Sequence, residues 1–261
     1  MRTMNIGATG MLAQQTNVEV ISNNIANMST TGFKRQRAEF QDLLYQQVRR
    51  VGSTSSDAGT ILPSGIQLGS GVKTASVYRI NEQGNFTVTD NPLDMAINGR
   101  GFFQVQMPDG TTAYSRAGSF QVNAEGAIVS ADGYPVLPQA TIPAGTVGIT
   151  INASGQIQAK IDGQTTPSNV GQLQLATFPN PAGLESLGEN LLRETPASGS
   201  PVVGNPQAVG FGNVVQGSLE TSNVNIVSEI TNLITAQRAY EMNSRVIRTA
   251  DEMSKEVSNL R

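Results

Sequence analysis

The chain has 261 residues, room for one large domain or two to three small ones, and a formal charge of −3. A pI of about 5.1 lacks the basic excess that a nucleic-acid or anionic-membrane partner would select. With neither Cys nor His, no disulfide, thiolate nucleophile, imidazole base or usual zinc site can be built.

The opening residues, MRTMNIGATGML, hold no continuous apolar run before a small-residue cleavage site, and no stretch of the chain approaches a membrane-spanning helix in length. The chain is therefore expected to stay in the cytosol or to leave without a cleaved signal peptide. From Thr3 to Met28, residues Met4, Met11, Val18 and Ile25 recur at seven-residue intervals, with Ala8, Ile21 and Met28 between them. A second line, Ile6, Ala13 and Val20, falls about 200° away on the same helix. Apolar positions on two faces predict a helix contacted from both sides. Gly32 is placed to end it. Lys34, Arg35 and Arg37 follow, with Arg49 and Arg50 further on, and read as a solvated or interface face.

Next comes a Ser/Gly-rich tract, VRRVGSTSSDAGTILPSGIQLGSG, whose few apolar anchors are Ile61, Leu62, Ile66 and Leu68. It reads either as a passive linker or as a segment that orders against neighbouring copies. From Val72 to Val215 the pattern turns to short strands. GFFQVQM sets Phe103, Val105 and Met107 on one face and turns at Pro108-Asp109-Gly110. ITINASGQIQAKI alternates Ile149, Ile151, Ile157 and Ile161 about Ser154-Gly155, and GQLQL repeats the pattern with Leu173 and Leu175. Strands recurring about every ten residues predict an all-β domain. Pro138, Pro143 and Pro167 bracket a small lobe within it.

From Asn225 to Leu260 helical periodicity returns: Ile226, Ile230, Leu233, Tyr240, Ile247, Ala250, Val257 and Leu260 drift slowly around one helix, as left-handed winding about a partner requires. The predicted class is α+β. Residues 1–32 plus 222–261 form a helical domain and 33–71 an extended connection. Residues 72–137 plus 169–221 form the β domain and 138–168 its small lobe.

No catalytic, cofactor or metal constellation emerges, and none is expected. Gly99-Arg100-Gly101 is a lone Gly-x-Gly without a following helix, so it reads as a bulge or tight bend. Asp90 and Asp94 flank Pro92 as turn formers, with no base or nucleophile beside them. Tyr240 lies on the helical stripe and reads as packing. The helices carry the functional signal. Pairing within one chain buries one side of each, and every apolar side chain left over favours association by about 1.5–3 kcal/mol when fully buried. Identical chains meeting head to tail close into a ring or propagate as a filament, and periodicity leaves both open.

SNNIANMSTTGFKRQRAEFQDLL (Ser22 to Leu44) resembles the N-terminal signature of flagellar rod and hook proteins, and ETSNVNIVSEITNLITAQRAYEMNSRVIRTADEM (Glu220 to Met253) their C-terminal signature. LPSGIQLGSGV, LDMAINGRGFF and AGLESLGENLL resemble the distal-rod member of that family. The resemblance implies a structural subunit, not an enzyme. Its terminal helices form an inner, coiled-coil-like tubular layer and its β domains lie outside. It implies export by the flagellar type III machinery and assembly into a periplasmic rod that transmits torque to the hook. The implied partners are further copies of the chain, proximal-rod and hook subunits, the surrounding periplasmic and outer-membrane rings, the export machinery and a rod cap, with no nucleic acid and no small-molecule substrate. The expected polymer interface comprises Met4, Met11, Val18, Ile21, Ile25, Ile226, Ile230, Leu233, Tyr240, Ile247 and Val257. The tract from Gln46 to Gly71, with Ile61, Leu62, Pro63, Ile66 and Leu68, is expected to stiffen the rod. The rivals are a proximal-rod or hook subunit, or a secreted β-rich carbohydrate-binding protein or hydrolase using paired carboxylates. The last leaves both helices unexplained.

Overall fold

The structure is a computed structural model that describes residues 2–50, 64–164 and 166–259, with only the backbone of Val257. The fold is α+β, and the chain divides into two units, residues 1–25, 36–78 and 225–261, and residues 26–35 and 79–224.

The first unit holds the helices α1 (Arg2–Ala26) and α2 (Ile226–Asn259). Asn225 opens α2, its side-chain oxygen accepting from the Ser228 amide at 3.2 Å, and Glu229 lies in the first turn, where the helix dipole favours an acid. On the exposed flank of α2, Asp251 and Lys255 pair at 2.6 Å, four residues apart. Strand Gln36–Asp42 pairs with Val72–Arg79, and Tyr45–Arg49 pairs antiparallel with Ile66–Gly69, Gln46 standing opposite Leu68. The second pair is an exposed ribbon with no core of its own, the arrangement least able to stand alone in water.

α1 ends at Ala26, six residues before Gly32. Gly32 serves another purpose. Its φ is +69°, its amide donates to the Glu220 carbonyl at 2.8 Å, and a Cβ there would lie 2.6 Å from the Ala117 nitrogen. Backbone approaches backbone where no side chain fits.

The second unit is built on an antiparallel sheet in the order Glu185–Gly188, Leu191–Arg193, Thr112–Ser115, Phe102–Gln106, Leu175–Thr177, Val202–Gly204, with Val136–Leu137 also pairing Phe102–Gln106. Alternation in GFFQVQM splits the side chains as its spacing predicts. Phe103 and Val105 enter one core with Met95, Ile97, Ile151, Ile157 and Leu175. Phe102 joins Tyr114 and Phe178 in a second. Rings meet edge to face in both, at 5.1 Å for Phe103–Phe120 and 4.8 Å for Tyr114–Phe178. Burial, with Glu194 nearby, pushes the Tyr114 phenol up to about 12. Ile151 stands opposite Ile157 across the Ser154-Gly155 turn, in a three-stranded sheet of Thr146–Ile151, Gln156–Ile161 and Ser168–Gln172.

Candidate assembly interface

α1 and α2 approach through small residues. A Cβ on Gly7 would lie 2.8 Å from Ile247 Cγ1, and one on Gly10 2.8 Å from Asn243 Nδ2. Among the described side chains of α2 the buried positions are Glu229, Ala236 and Ala250, multiples of seven apart, with Leu233, Asn243 and Ile247 half-buried beside them. On α1 they are Gly7, Ala13, Val20, Ile21 and Asn24. Buried Asn24 clamps the end of the seam. Its amide donates to the Gln36 carbonyl at 2.8 Å and to Glu229 Oε2 at 3.2 Å, while its oxygen accepts from the Gln36 amide at 2.8 Å.

With Gly, Ala and Asn at much of the seam, many of the larger residues stay outside it. Ile226, Ile230, Ile234, Tyr240, Val246 and Met253 are exposed on α2, as are Ile6 and Leu12 on α1. Of the residues the sequence singles out, Ile21 is buried and Met4, Met11, Val18, Ile25, Leu233 and Ile247 are half-buried. Ile226, Ile230 and Tyr240 are exposed, so the structure distributes the predicted stripe around the helix pair. Ile66 and Leu68 are exposed on the ribbon beside Leu44, Tyr45 and Val48. Ile61, Leu62, Pro63 and the Val257 side chain lie outside the described residues.

Within the second unit the chain holds a buried ion cluster that the sequence did not disclose. Glu220, 1% exposed, accepts from Lys34 Nζ at 2.6 Å, from Arg116 Nε at 2.9 Å and from the Gly84 amide at 3.0 Å. Lys34 also donates to the Glu82 carbonyl at 2.6 Å, and Arg116 to the Gly99 and Gly101 carbonyls at 2.9 and 2.7 Å. Burial would raise the Glu220 carboxyl, but Arg116 and then Lys34 outweigh it and hold it below its ordinary value. Burial draws the Lys34 ammonium down, against the pull of Glu220. Lys34, expected on a solvated or interface face, is thus an internal strut. Gly99-Arg100-Gly101 is a bend whose glycine carbonyls seat Arg116. Asp94 is a buried turn residue accepting from Thr89 Oγ1 and Asn91 Nδ2 at 2.7 and 2.9 Å.

No helix among the described residues is long and apolar enough to cross a membrane. Three family models match the chain: flagella basal body rod protein at residues 4–34, the D1 domain of flagellar hook protein FlgE/F/G at 96–159, and the C-terminal region of flagellar basal body rod FlgEFG proteins at 215–260. These define a flagellar axial subunit, one signature on each terminal helix and one on the β unit. Over its full length the chain is 59% identical to the whole flagellar basal-body rod protein FlgG of Caulobacter vibrioides and 44% identical to that of Borreliella burgdorferi, covering 99% of it. Identity to the flagellar hook-basal body complex protein FlhP of Bacillus subtilis, again over both whole chains, is 31%. The chain belongs to the FlgG family of flagellar basal-body rod proteins, and is a structural subunit of the rod.

Proposed function

We propose that this chain polymerises head to tail through the outward faces of α1 and α2, building a stiff helical tube that carries motor torque from the basal body to the hook. The observation that carries this reading is the row of large apolar side chains left exposed once α1 and α2 have paired, Ile226, Ile230, Ile234 and Tyr240 foremost. In a tube each would be covered by a neighbour, at about 1.5–3 kcal/mol for a fully buried side chain. Residues 1–32 plus 222–261 act as the polymerisation domain, and residues 72–137 plus 169–221, with the lobe 138–168, as the outer layer. The tract from Gln46 to Gly71 presses its ribbon onto adjacent copies and resists sliding. The subunit has no catalytic role and is exported without a cleaved signal peptide. Proximal-rod and hook subunits meet it at the ends of the tube, and periplasmic and outer-membrane rings surround it. The export machinery and a rod cap handle its delivery.

Ile230→Asp and Leu233→Asp test this. In the polymer each would place a charge where a neighbouring copy excludes water, and an unpaired ion is strongly disfavoured there. Both variants are expected to keep the β-sheet circular dichroism of the wild type and to form no rods under electron microscopy. Rods of normal yield and diameter would overturn the reading.

A further inference from the structure

The second unit contains a cleft of about 360 Å³ lined by Lys34, Arg100 and Arg116 and floored by Phe102, Phe178 and Pro181. Three cations against the single carboxylate of Glu220 leave this cleft two charges positive in a chain whose net charge is −3. The complementary charge therefore resides elsewhere on the same molecule. Arg100 is exposed, and its side chain makes no hydrogen bond or ion pair among the described residues. Its backbone is fixed, since Gly99 and Gly101 take φ of +106° and +141° and its carbonyl accepts from the Gly212 amide at 2.7 Å. Beyond Arg100 the surface continues as a shallow hollow bordered by Gln207, Gly210 and Phe211, beside which Val209 is fully exposed. An exposed cation on a held backbone, between an aromatic-lined cleft and a hollow of mixed polarity, suits a protein segment carrying an acid more than a free anion.

The hairpin of Phe102–Gln106 and Thr112–Ser115 supplies such a segment. Its strands start and finish at the cleft, next to Gly101 and Arg116, and its turn lies at their other end. There Asp109 is exposed, its Oδ1 accepting from the Thr111 amide at 2.9 Å and Thr111 Oγ1 at 2.6 Å. These bonds to Thr111 hold the Asp109 carboxyl below its ordinary value. The tip stands clear, with nothing within 4 Å of where a Gly110 side chain would begin. One hairpin thus has a cationic end and an anionic end, the polarity that a head-to-tail contact between identical chains needs.

We propose that the cleft receives the Asp109 hairpin tip of a second copy of this chain, with the Asp109 carboxylate against Arg100 and the turn on Phe102 and Phe178. The contact rests on the rod-subunit reading but is separable from it, because it does not involve the helices. The test is the critical concentration for polymerisation of purified full-length chain, followed by light scattering and electron microscopy. It compares wild type, Arg100→Glu, Asp109→Arg and the double variant. Both positions are exposed, and monomer melting checks that each variant is folded. Each single reversal is expected to raise the critical concentration about tenfold, since like charges then oppose each other, and the double variant to return within about threefold of wild type. Single variants that polymerise like wild type, or a double variant no better than the worse single one, would overturn the contact while leaving the helical interface standing. Failure of the wild-type chain to polymerise would overturn the homopolymer reading, and this contact with it.

Discussion

In residues 79–224 the side chains of Met95, Ile97, Phe103 and Leu175 are wholly buried, whereas in α2 residues of similar size, Ile226, Ile230, Ile234 and Met242, are 44–60% exposed. Both regions are rich in apolar residues, so apolar content does not separate them. The position of the small residues does. In the β unit large residues fill the space between strands and loops. In the helix pair Gly7, Gly10, Ala13, Ala236 and Ala250 occupy the seam, and bulk is displaced outward. A helix takes most of its stability from burying an apolar face, so α1 and α2 gain only part of it within one chain. The β unit closes its own core, while the helices leave much of their apolar surface exposed.

The largest way to sharpen this contrast is to break the β unit from inside. Glu220→Gln leaves Lys34 and Arg116 buried without a counter-charge, and breaking a buried pair in this way costs about 3–5 kcal/mol. Thermal unfolding of the β unit should shift by an amount to match. The same loss is expected with acid. Because the Glu220 carboxyl titrates below its ordinary value of 4.5 in the folded chain, its contribution is intact above that value and is lost as the pH falls through the lowered one. A variant as stable as wild type, with the same acid midpoint, would remove the ion cluster from the account of this unit.

How much of this was legible in the sequence follows from which interactions have a period. Alternation placed Phe103 and Val105 on one face and Ile151 opposite Ile157, because a strand repeats every two residues and nothing else competes. Heptads located both helices for the same reason. The inward-facing columns were legible only in part. The sequence reading held Ala13, Val20, Ile21 and Ala250, which are buried, alongside the bulkier Ile226, Ile230 and Tyr240, which are exposed. It passed over Gly7 and Ala236, because a seam that selects for close approach uses Gly and Ala, whose small side chains give little hydrophobic signal. The Lys34–Glu220–Arg116 cluster was invisible because its members lie 82 and 104 residues apart along the chain, brought together only by the closed fold. Gly32 read as a helix stop since glycine serves both purposes, and only its contact with Ala117 distinguishes them.

A smaller perturbation addresses the seam itself. Ala236 is 2% exposed on α2, and Ala236→Leu adds three heavy atoms at a position closed to solvent. Overpacking of this kind costs about 1–3 kcal/mol, offset little by helix propensity, which is similar for Ala and Leu. The loss should fall on the helix pair alone. Hydrogen exchange of the monomer should show faster amide exchange in α1 and α2, with the strands of residues 79–224 protected as before. Unchanged helix protection would show that the small residues of α2 are incidental to the pairing.

The smallest effect on the monomer is expected at the outward face, and there the contrast is most exposed to refutation. Met242 is 60% exposed on α2. Met242→Gln keeps the length and flexibility of the side chain and nearly its helix propensity, so neither the seam nor the helix is disturbed. A surface substitution of this type changes folding stability by no more than about 0.5 kcal/mol. In a polymer the same position would be covered, and replacing a buried thioether by an amide forfeits the apolar burial and leaves polar atoms to be satisfied. The assembly equilibrium should then weaken by about 1.5–3 kcal/mol per contact, roughly a ten- to hundredfold rise in critical concentration. Melting of the monomer and sedimentation of the polymer measure the two quantities on one preparation. Equal effects in both, or none in either, would mean that the exposed residues of α2 are ordinary surface and that the helices hold nothing in reserve.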